Sequence, residues 1–379
     1  MPKPSMKPFP VVGPWKGVVT DVPSGMDAAA WDTGQNVVFR KGRIQSRPGL
    51  LQYVPNPPDG RIIRAMYSFL DVLENWHTLV LTDTTPYFLT NPSGTLVFNA
   101  LTMPSGIPNL GGVGLPFALI EMNQKVFFSN GAQPLLYVDG SASVKVAGDV
   151  PGGCLYLTEN SSHLIGVNWT IPPPGITGSQ AYPFYVQISD ADDPLVWTPS
   201  TSNSATIINL IEKGGVPAGC QTLGQNTYVW RQFGGNVLWP TGNAAAPFYN
   251  EPFMWSNPGW GAFYPYTVAN WNQMGLMVTH NGEVLMFTPS STAPAVSAFN
   301  PVANGRVKLQ LTKDLLLANG DVVYAFVTDQ LGPGFDFEAY VIWIPGINKA
   351  WVLNLMDLTW SWFTANQQHA TAFGNVKVH

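Results

Sequence analysis

The acidic run Asp190, Asp192 and Asp193 is the part of the sequence that most directly suggests chemistry. Carboxylates spaced in this way can point at one cation, as they do at the start of a calcium loop. A complete calcium loop continues with a glycine and a late glutamate, whereas Pro194 follows directly here. The pattern therefore favours a solvated acidic turn, and we predict no metal site.

Glycoside hydrolysis would need two carboxylates that flank the bond, held roughly 5 to 10 Å apart. Asp190, Asp193, Glu283 and Glu338 are the candidates for this pair. The tryptophans that could stack on sugar rings are Trp197, Trp230, Trp239, Trp255, Trp260 and Trp271. Aromatic side chains in repetitive β-proteins mostly pack between sheets, so carbohydrate binding without catalysis is favoured over hydrolysis, and we predict that the protein is not an enzyme.

Histidines and glycine-rich segments give no signature of a catalytic triad or a cofactor. His77, His163, His280, His369 and His379 are scattered, and none lies beside a serine or cysteine in a triad-like phrase. His77 and His280 fall in or at the end of predicted strands, where structural histidines are common. The glycine run at 111–114 has neither the lysine of a P-loop nor the strand-to-helix setting of a dinucleotide fingerprint. We therefore predict no cofactor.

A basic hairpin is predicted near the start of the chain. Residues 36–40 and 43–47 form two short β-rich runs across a Lys41–Gly42 turn, and Pro48–Gly49 ends the second run. Its cations are Arg40, Lys41, Arg43 and Arg47, which are the candidates for an interface or a DNA contact. With only Phe39 as an interleaved aromatic and no recognisable DNA-binding module, an interface is the favoured role.

Composition indicates a β-rich protein with an unusually neutral surface. Hydrophobic residues form 45% of the 379 residues and charged residues only 11%, against about 25% in ordinary soluble proteins. The charge is uneven, because residues 1–64 hold nine Lys/Arg against four Asp/Glu and the remainder holds nine against nineteen. No run of about eighteen apolar residues indicates a membrane helix, and the N-terminus lacks the apolar core of a secretion signal. Cys154 and Cys220 match no metal-ligand spacing, so we predict buried free thiols.

Pairs of β-rich runs separated by short turns predict an all-β fold. Their onsets recur every ~40 to 65 residues, the spacing expected for four-stranded propeller blades. The pairs are 76–81 with 86–89, 125–128 with 135–138, 227–230 with 236–239, 275–278 with 283–287, and 339–344 with 349–353. We predict a β-propeller of five or six blades over residues 61–379, with tandem β-sandwiches as the alternative. Helix is expected only at 307–317, where a strand fits equally well.

The first sixty residues are predicted to form a separate docking region. Prolines at 2, 4, 8, 10, 14 and 23 indicate an extended arm, which leads into the basic hairpin. The segment Pro55-Asn56-Pro57-Pro58-Asp59-Gly60 is predicted to be the linker between residues 1–60 and the propeller.

Several phrases fall in the order seen in one protein family. Near the start these are Asn36-Val37-Val38-Phe39, Gly42-Arg43-Ile44 and Arg47-Pro48-Gly49, followed by Ile188-Ser189-Asp190, Asp193-Pro194 and Trp197. Later ones are Leu223-Gly224, the Trp230-to-Trp239 hairpin, Gly261-Ala262 with Tyr264-Pro265-Tyr266, and Ile342-Trp343 with Trp360-Ser361-Trp362. Together they resemble the tail β-propellers of short-tailed bacteriophages, called nozzle or tail tubular proteins, and related packaged-DNA-stabilising tail factors.

The resemblance implies a structural virion protein of the phage tail, assembled in the host cytoplasm. It implies a homo-oligomeric ring, a hexamer, that serves as a conduit and gate for double-stranded DNA during genome retention and ejection. The implied partners are an adaptor or other tail proteins and tail fibres or spikes, with non-specific DNA contact and no membrane insertion by this chain. An acidic body suits such a conduit, because it repels phosphate and so prevents DNA from sticking.

Overall fold

The computed structural model describes eleven continuous segments of the chain and, for the backbone, four short strands before them. The segments are 55–91, 95–112, 114–149, 152–170, 182–210, 214–255, 257–261, 263–289, 298–302, 307–330 and 336–364, and the four strands cover 17–18, 30–31, 37–40 and 43–46. The chain divides into two compact units. One comprises Met1–Leu50, Asn281–Val284 and Pro301–Asn366, and the other comprises Leu51–His280, Leu285–Asn300 and Gln367–His379.

Two short pairs of strands precede the blades. Strand β1 (Gly17–Val18) pairs in parallel with β2 (Ala30–Trp31). Strand β3 (Val37–Arg40) pairs antiparallel with β4 (Arg43–Ser46), which confirms the predicted hairpin. The rest of the predicted arm lies outside the described residues.

Six four-stranded sheets follow, each with its strands in chain order. The first three contain β5 (Ile63–Leu70), β6 (Trp76–Thr82), β7 (Pro86–Thr90) and β8 (Val97–Ala100); β9 (Ala118–Met122), β10 (Lys125–Ser129), β11 (Leu136–Val138) and β12 (Lys145–Val146); and β13 (Cys154–Asn160), β14 (His163–Trp169), β15 (Tyr185–Ile188) and β16 (Thr206–Asn209).

The other three sheets contain β17 (Pro217–Leu223), β18 (Asn226–Arg231), β19 (Gly234–Pro240) and β20 (Phe248–Met254); β21 (Ala269–Trp271), β22 (Met274–Val278), β23 (Val284–Thr288) and β24 (Ala298–Pro301); and β25 (Tyr324–Gln330), β26 (Asp336–Ile344), β27 (Lys349–Asn354) and β28 (Thr359–Thr364). Short 3₁₀ helices cover Tyr182–Phe184, Pro258–Trp260, Pro265–Thr267 and Pro345–Ile347.

These sheets are the six blades of a β-propeller. Each is an up-and-down meander of four strands, which is the blade pattern and differs from the Greek-key order of a sandwich. The predicted propeller is therefore confirmed, with the larger of the two predicted blade numbers. The alternative of tandem sandwiches is wrong, because each described blade is a simple meander and none has the Greek-key order of a sandwich.

The middle strands of each blade form the core. In β6, Leu79, Val80 and Leu81 are fully buried, and Val126 and Phe127 in β10 are buried to the same extent. Both faces of a middle strand are covered by neighbouring sheets, so the residues that point to either face are apolar. Outer strands such as β8 expose most of their side chains. The hydrophobic pairs in the sequence therefore mark the middles of blades.

Helix α1 (Lys308–Leu317) precedes the sixth blade, so the run at 307–317 is a helix and the strand alternative is wrong. Leu311, Asp314 and Leu315 are buried. Asp314 accepts hydrogen bonds from Lys349 Nζ at 2.5 Å and from Trp351 Nε1 at 2.8 Å. A charged tie to β27 thus fixes the helix against its blade.

First strands of successive blades pack side by side in the larger unit, where β9 contacts β13 and β13 contacts β17. Side chains cross between them, since Tyr67 in β5 donates to Glu121 in β9 at 3.2 Å. Thr158 in β13 and Thr222 in β17 share a hydrogen bond of 3.0 Å. These contacts place the first strands at the centre of this unit, as in other propellers.

The predicted linker is fixed to the first blade. Asp59 accepts hydrogen bonds from the hydroxyls of Thr82 and Thr84, which lie at the β6–β7 turn. The division of the chain at residue 60 stays a prediction. Cys154 and Cys220 are free, as predicted, with Cys154 buried and Cys220 partly buried. Burial raises the pKa of the Cys154 thiol to about 12.

Candidate functional site

The basic hairpin places two of its four predicted basic residues at paired backbone positions next to its turn. Arg40 ends β3 and Arg43 begins β4, and they are paired across the two strands. Lys41 and Arg47 lie outside the described residues. The interface or DNA role of this cluster stays a prediction.

The hairpin lies next to the sixth blade within its own unit. Strand β3 is in contact with β28, and so is β1. Strand β28 forms one edge of its four-stranded sheet. Edge strands present unpaired backbone groups, and a chain segment beside them limits unwanted pairing.

The four candidate catalytic carboxylates are distributed over three blades. Asp190 and Asp193 belong to the β15–β16 connection of the third blade, where they form an isolated bridge with each other. Glu283 lies just before β23 of the fifth blade, and Glu338 lies in β26 of the sixth. The bridge brings Asp190 and Asp193 together.

The described partners of these carboxylates are structural. Asp190 Oδ1 accepts hydrogen bonds from the backbone N and the hydroxyl of Ser204, at 2.7 and 2.6 Å. Asp193 Oδ1 accepts from the Leu195 amide, and Glu283 pairs with Lys308 Nζ at 2.6 Å. Among the described residues, no three His, Cys, Asp or Glu side chains are grouped in a way that could hold a metal ion.

The tryptophans proposed to stack on sugars are mostly packing residues. Trp197 and Trp230 are fully buried and Trp255 nearly so. Trp230 stacks on Trp255 with ring centroids 5.9 Å apart. Trp239, Trp260 and Trp271 are partly buried. Trp76 is half exposed, at 51%, and the sequence analysis did not include it among the candidates for sugar contacts.

The described histidines have structural partners. His77 Nε2 lies 2.8 Å from Asp71 Oδ2, and His163 Nδ1 lies 2.7 Å from the Ser189 carbonyl oxygen. The ring of His280 lies 4.4 Å from that of Tyr264, and burial lowers the pKa of His280. The prediction that His77 and His280 are structural histidines is supported by these contacts.

Four two-residue turns form a feature that was not predicted from the sequence. They connect the first and second strands of blades two to five, at 123–124, 161–162, 224–225 and 272–273. We call them the polar rim. Their residues are Asn123, Gln124, Ser161, Ser162, Gly224, Gln225, Asn272 and Gln273, all exposed and none charged. The sequence signal that could have found them is the short polar pair that recurs once per blade between two apolar strands.

Hydrogen bonds join three of the four turns of the polar rim across the blades. Asn123 Nδ2 donates to the carbonyl oxygen of Asp192 in the third blade at 2.8 Å. The Asp192 amide donates in turn to the Ser162 carbonyl oxygen at 2.9 Å. Asn160 donates to the Gln225 carbonyl oxygen at 3.0 Å. The turns thus lie at one end of the central strands of this unit, together with the acidic turn at 190–193.

Several groups of large apolar side chains are exposed. On helix α1 these are Leu309, Leu316 and Leu317, with exposed fractions of 59%, 73% and 68%. Their spacing of seven and eight residues puts them on one side of the helix. The other groups are Val72, Leu73 and Trp76 at the β5–β6 turn, Phe233 and Met254 in the fourth blade, and Met356 and Leu358 at the β27–β28 turn. Clusters of this kind mark interaction sites.

Comparison with known proteins gives solved structures only. No protein-family model matches the chain, and no curated protein does. A nidogen/laminin complex is 12% identical over 77% of this chain and 95% of the other, with a TM-score of 0.42. A putative exported protein from Bacteroides fragilis is 12% identical (74% and 79% covered, TM-score 0.37), and apo AztD from Citrobacter koseri is 10% identical (80% and 87%, TM-score 0.39). The blades described above rest on the chain's own strand pairing.

No helix in the described part of the chain is long and apolar enough to cross a membrane.

Five carboxylates of the larger unit have pKa values held below the usual range, and Asp71, Asp83 and Asp190 show the causes. Hydrogen bonds from His77 and the Asn75 amide lower the pKa of Asp71. Burial alone would raise the pKa of Asp83, but hydrogen bonds from Arg64 and the Gly114 amide lower it. Burial likewise opposes the hydrogen bonds from Ser204 that lower the pKa of Asp190. Each of these carboxylates therefore stabilises the folded state when it is charged.

Acid is expected to destabilise this unit through these carboxylates. A group with a lowered pKa in the folded state contributes stability above its unfolded pKa of about 4, and loses it as the pH falls towards the folded value. We expect the melting temperature to fall between about pH 4 and pH 2. Asp83→Asn should lower it at neutral pH and flatten this fall, because the Arg64 pair is already lost. Parallel curves for the two proteins would contradict the prediction.

Proposed function

We propose that the chain is a structural component of a virion, a homo-oligomeric ring of six copies at the tail of a short-tailed bacteriophage. In this role the ring conducts and retains double-stranded DNA and releases it on ejection. Its neighbours are an adaptor or other tail proteins and tail fibres or spikes. The chain is not an enzyme in this proposal, and it is located in the virion after assembly in the host cytoplasm.

The resemblance to tail β-propellers supports the proposal, since its phrases fall on structural elements of the blades. The Trp230-to-Trp239 phrase spans the β18–β19 hairpin, and Trp360-Ser361-Trp362 lies in β28. Arg43 and Ile44 of the early phrase lie in β4. The phrases therefore correspond to elements that a propeller of this family would need, rather than to connecting loops alone.

The apolar stripe of helix α1 is the observation that carries the assembly. Leu309, Leu316 and Leu317 are each more than half exposed on a helix that Asp314 fixes to its blade. A rigid element loses little conformational entropy on binding, so these side chains are well placed to be buried against another subunit. Subunit contacts have apolar centres and few charges, which agrees with the 11% charged residues of the chain.

Charge supports the choice of a conduit over a DNA-gripping protein. From residue 65 onward the chain holds nine Lys/Arg against nineteen Asp/Glu. A wall with this balance repels phosphate and allows DNA to slide without binding. The basic hairpin is then the docking element, because its Arg40 and Arg43 suit the acidic surface of a neighbouring protein.

Disruption of the apolar stripe tests the assembly. The variant Leu316→Glu/Leu317→Glu is expected to change the purified chain from a ring to a monomer, because two charges would have to be buried in the contact. Native mass spectrometry and electron microscopy report the number of copies. Incorporation of the same variant into particles is expected to fail.

Val97→Glu is the matched control, because Val97 is an exposed apolar residue of β8 without an exposed apolar cluster around it in that strand. This variant should form rings as the unmodified chain does. Circular dichroism should show the same fold for both variants. An unmodified chain that is a stable monomer and never enters particles would overturn the proposed function.

A further inference from the structure

The polar rim has a composition that its turn geometry does not require. Two-residue hairpin turns of the primed types favour glycine, because one or both of the central residues have positive φ. Here Gln124 and Gln273 occupy the second position with φ of 57° and 62°, and Ser162 does so with 62°. Residues with a side chain have a strained backbone at positive φ, and such strain concentrates at functional sites.

The chemistry of the rim fits an uncharged ligand rich in hydroxyl groups. Amide side chains offer two donors and an acceptor with two lone pairs, and serine hydroxyls both donate and accept. These groups can match hydroxyls of either hydrogen-bonding sense. No cation is present among the eight rim residues, so nothing there attracts an anion in particular.

Neighbouring charges select against phosphate and sulfate. Asp192 and Asp193 are exposed in the acidic turn that accepts the Asn123 hydrogen bond, and Glu74 is exposed at the β5–β6 turn. Anionic ligands would be repelled at this end of the blades, whereas a neutral ligand would not. A nucleic acid backbone is therefore a poor occupant of the rim.

Indole rings lie at the same end of two blades. Trp76 begins β6 directly after the first-blade turn and is 51% exposed. Trp271 ends β21 immediately before the rim residue Asn272. Amphipathic aromatic rings beside hydrogen-bonding groups are suited to pyranose rings, which have apolar faces and polar edges.

We propose that the polar rim is a binding site for neutral oligosaccharides. Gln124 and Gln273 hydrogen-bond the sugar hydroxyls, and Asn272 and Gln225 extend the site along the rim. Trp76 and Trp271 supply apolar surface for the sugar faces. The site binds without hydrolysis, and it belongs to one chain, so it does not depend on ring assembly.

Direct binding of defined sugars tests the proposal. The full chain is assayed against immobilised neutral trisaccharides to hexasaccharides of glucose, galactose, mannose and N-acetylglucosamine, with a heparin hexasaccharide as the anionic comparison. We expect at least one neutral series to bind and the heparin hexasaccharide not to bind. The double variant Gln124→Gly/Gln273→Gly should lose at least about tenfold in affinity.

The glycine variant separates binding from folding. Glycine adopts positive φ without strain, so the melting temperature of the double variant should stay the same or rise. Gln232→Gly is the matched control, because Gln232 is an exposed glutamine in the β18–β19 turn, at the opposite end of the fourth blade from its rim turn. This control should bind sugar as the unmodified chain does.

Three results would overturn the proposal: no neutral series binds, the heparin hexasaccharide binds as tightly as the best neutral sugar, or the double variant keeps its affinity. Native mass spectrometry on the same samples reports ring assembly separately. A ring that binds no sugar overturns only the oligosaccharide site, and a sugar-binding monomer overturns only the ring.

Discussion

Replacement of Asp314 by alanine is expected to lower the free energy of unfolding of the unit with the sixth blade by about 3–5 kcal/mol. The side chain of Asp314 is 5% exposed and that of its partner Lys349 is 12% exposed. Removal of the carboxylate leaves a cation in a site with little access to water. An uncompensated buried charge is one of the few causes of so large a loss.

The local contacts explain why the loss of Asp314 alone is costly. Besides Lys349 and Trp351, Asp314 accepts a hydrogen bond from Gln310 Nε2 at 3.1 Å. Lys349 Nζ lies 4.6 Å and 4.3 Å from the ring centroids of Trp351 and Trp362. The rings hold the ammonium group in place but cannot neutralise it. Without Asp314, helix α1 also loses its polar tie to β27.

Denaturant unfolding measures the loss, and a double replacement supplies its control. Asp314→Leu/Lys349→Met removes both charges and is expected to recover most of the stability, because apolar residues of similar volume often replace a buried ion pair without net cost. Lys349→Met alone should be nearly as harmful as Asp314→Ala. A loss below about 1 kcal/mol for Asp314→Ala would show that water reaches the site.

Hydrophobic pattern predicted the middles of the blades and little else. The five predicted pairs correspond to β6–β7, β10–β11, β18–β19, β22–β23 and β26–β27, the second and third strands of five blades. These strands are buried on both faces and carry continuous apolar runs. Strand β12 has two residues and β8 is mostly exposed, so neither carries a signal that a window along the chain could detect.

The third blade shows a second limit of prediction from the hydrophobic pattern. None of the five predicted pairs falls in the third blade, which contains β13, β14, β15 and β16. Strand β14 (His163–Trp169), which pairs with β13 and β15, contains Gly166 in its middle. A glycine within a strand weakens the sequence signal, yet here it allows the Trp169 ring to fold back, since Trp169 Nε1 donates to the Gly166 carbonyl oxygen at 2.8 Å.

The candidate sites were predictable only where they are local. Arg40 and Arg43 are adjacent through a tight turn, so sequence spacing alone predicts their pairing. The polar rim joins turns that lie up to 149 residues apart, from Asn123 to Asn272, through contacts between blades. Each turn taken alone is an ordinary polar pair. Only the packing of the first strands shows that the four lie at one end of the unit.

Gly148→Ala is expected to lower the free energy of unfolding of the larger unit by about 3–5 kcal/mol. Gly148 has a φ of 57°, and a Cβ atom there would lie 1.6 Å from the carbonyl oxygen of Leu195. Backbone atoms cannot turn away as a flexible side chain can, so the chain between the second and third blades must shift. The adjacent Asp149 holds the amides of Trp197 and Thr198 at 2.7 and 3.0 Å, and this shift would break both hydrogen bonds.

Gly242→Ala separates the steric clash from backbone strain. Gly242 has a φ of 73° and no atom within 4 Å of the position of a Cβ, so alanine there adds strain alone. This replacement is expected to lower the free energy of unfolding by about 1–2 kcal/mol. Denaturant unfolding of both variants, followed by tryptophan fluorescence, measures the difference. Equal losses would mean that the contact between Gly148 and Leu195 opens easily, and that the second and third blades are joined by their sheet packing without this close backbone approach.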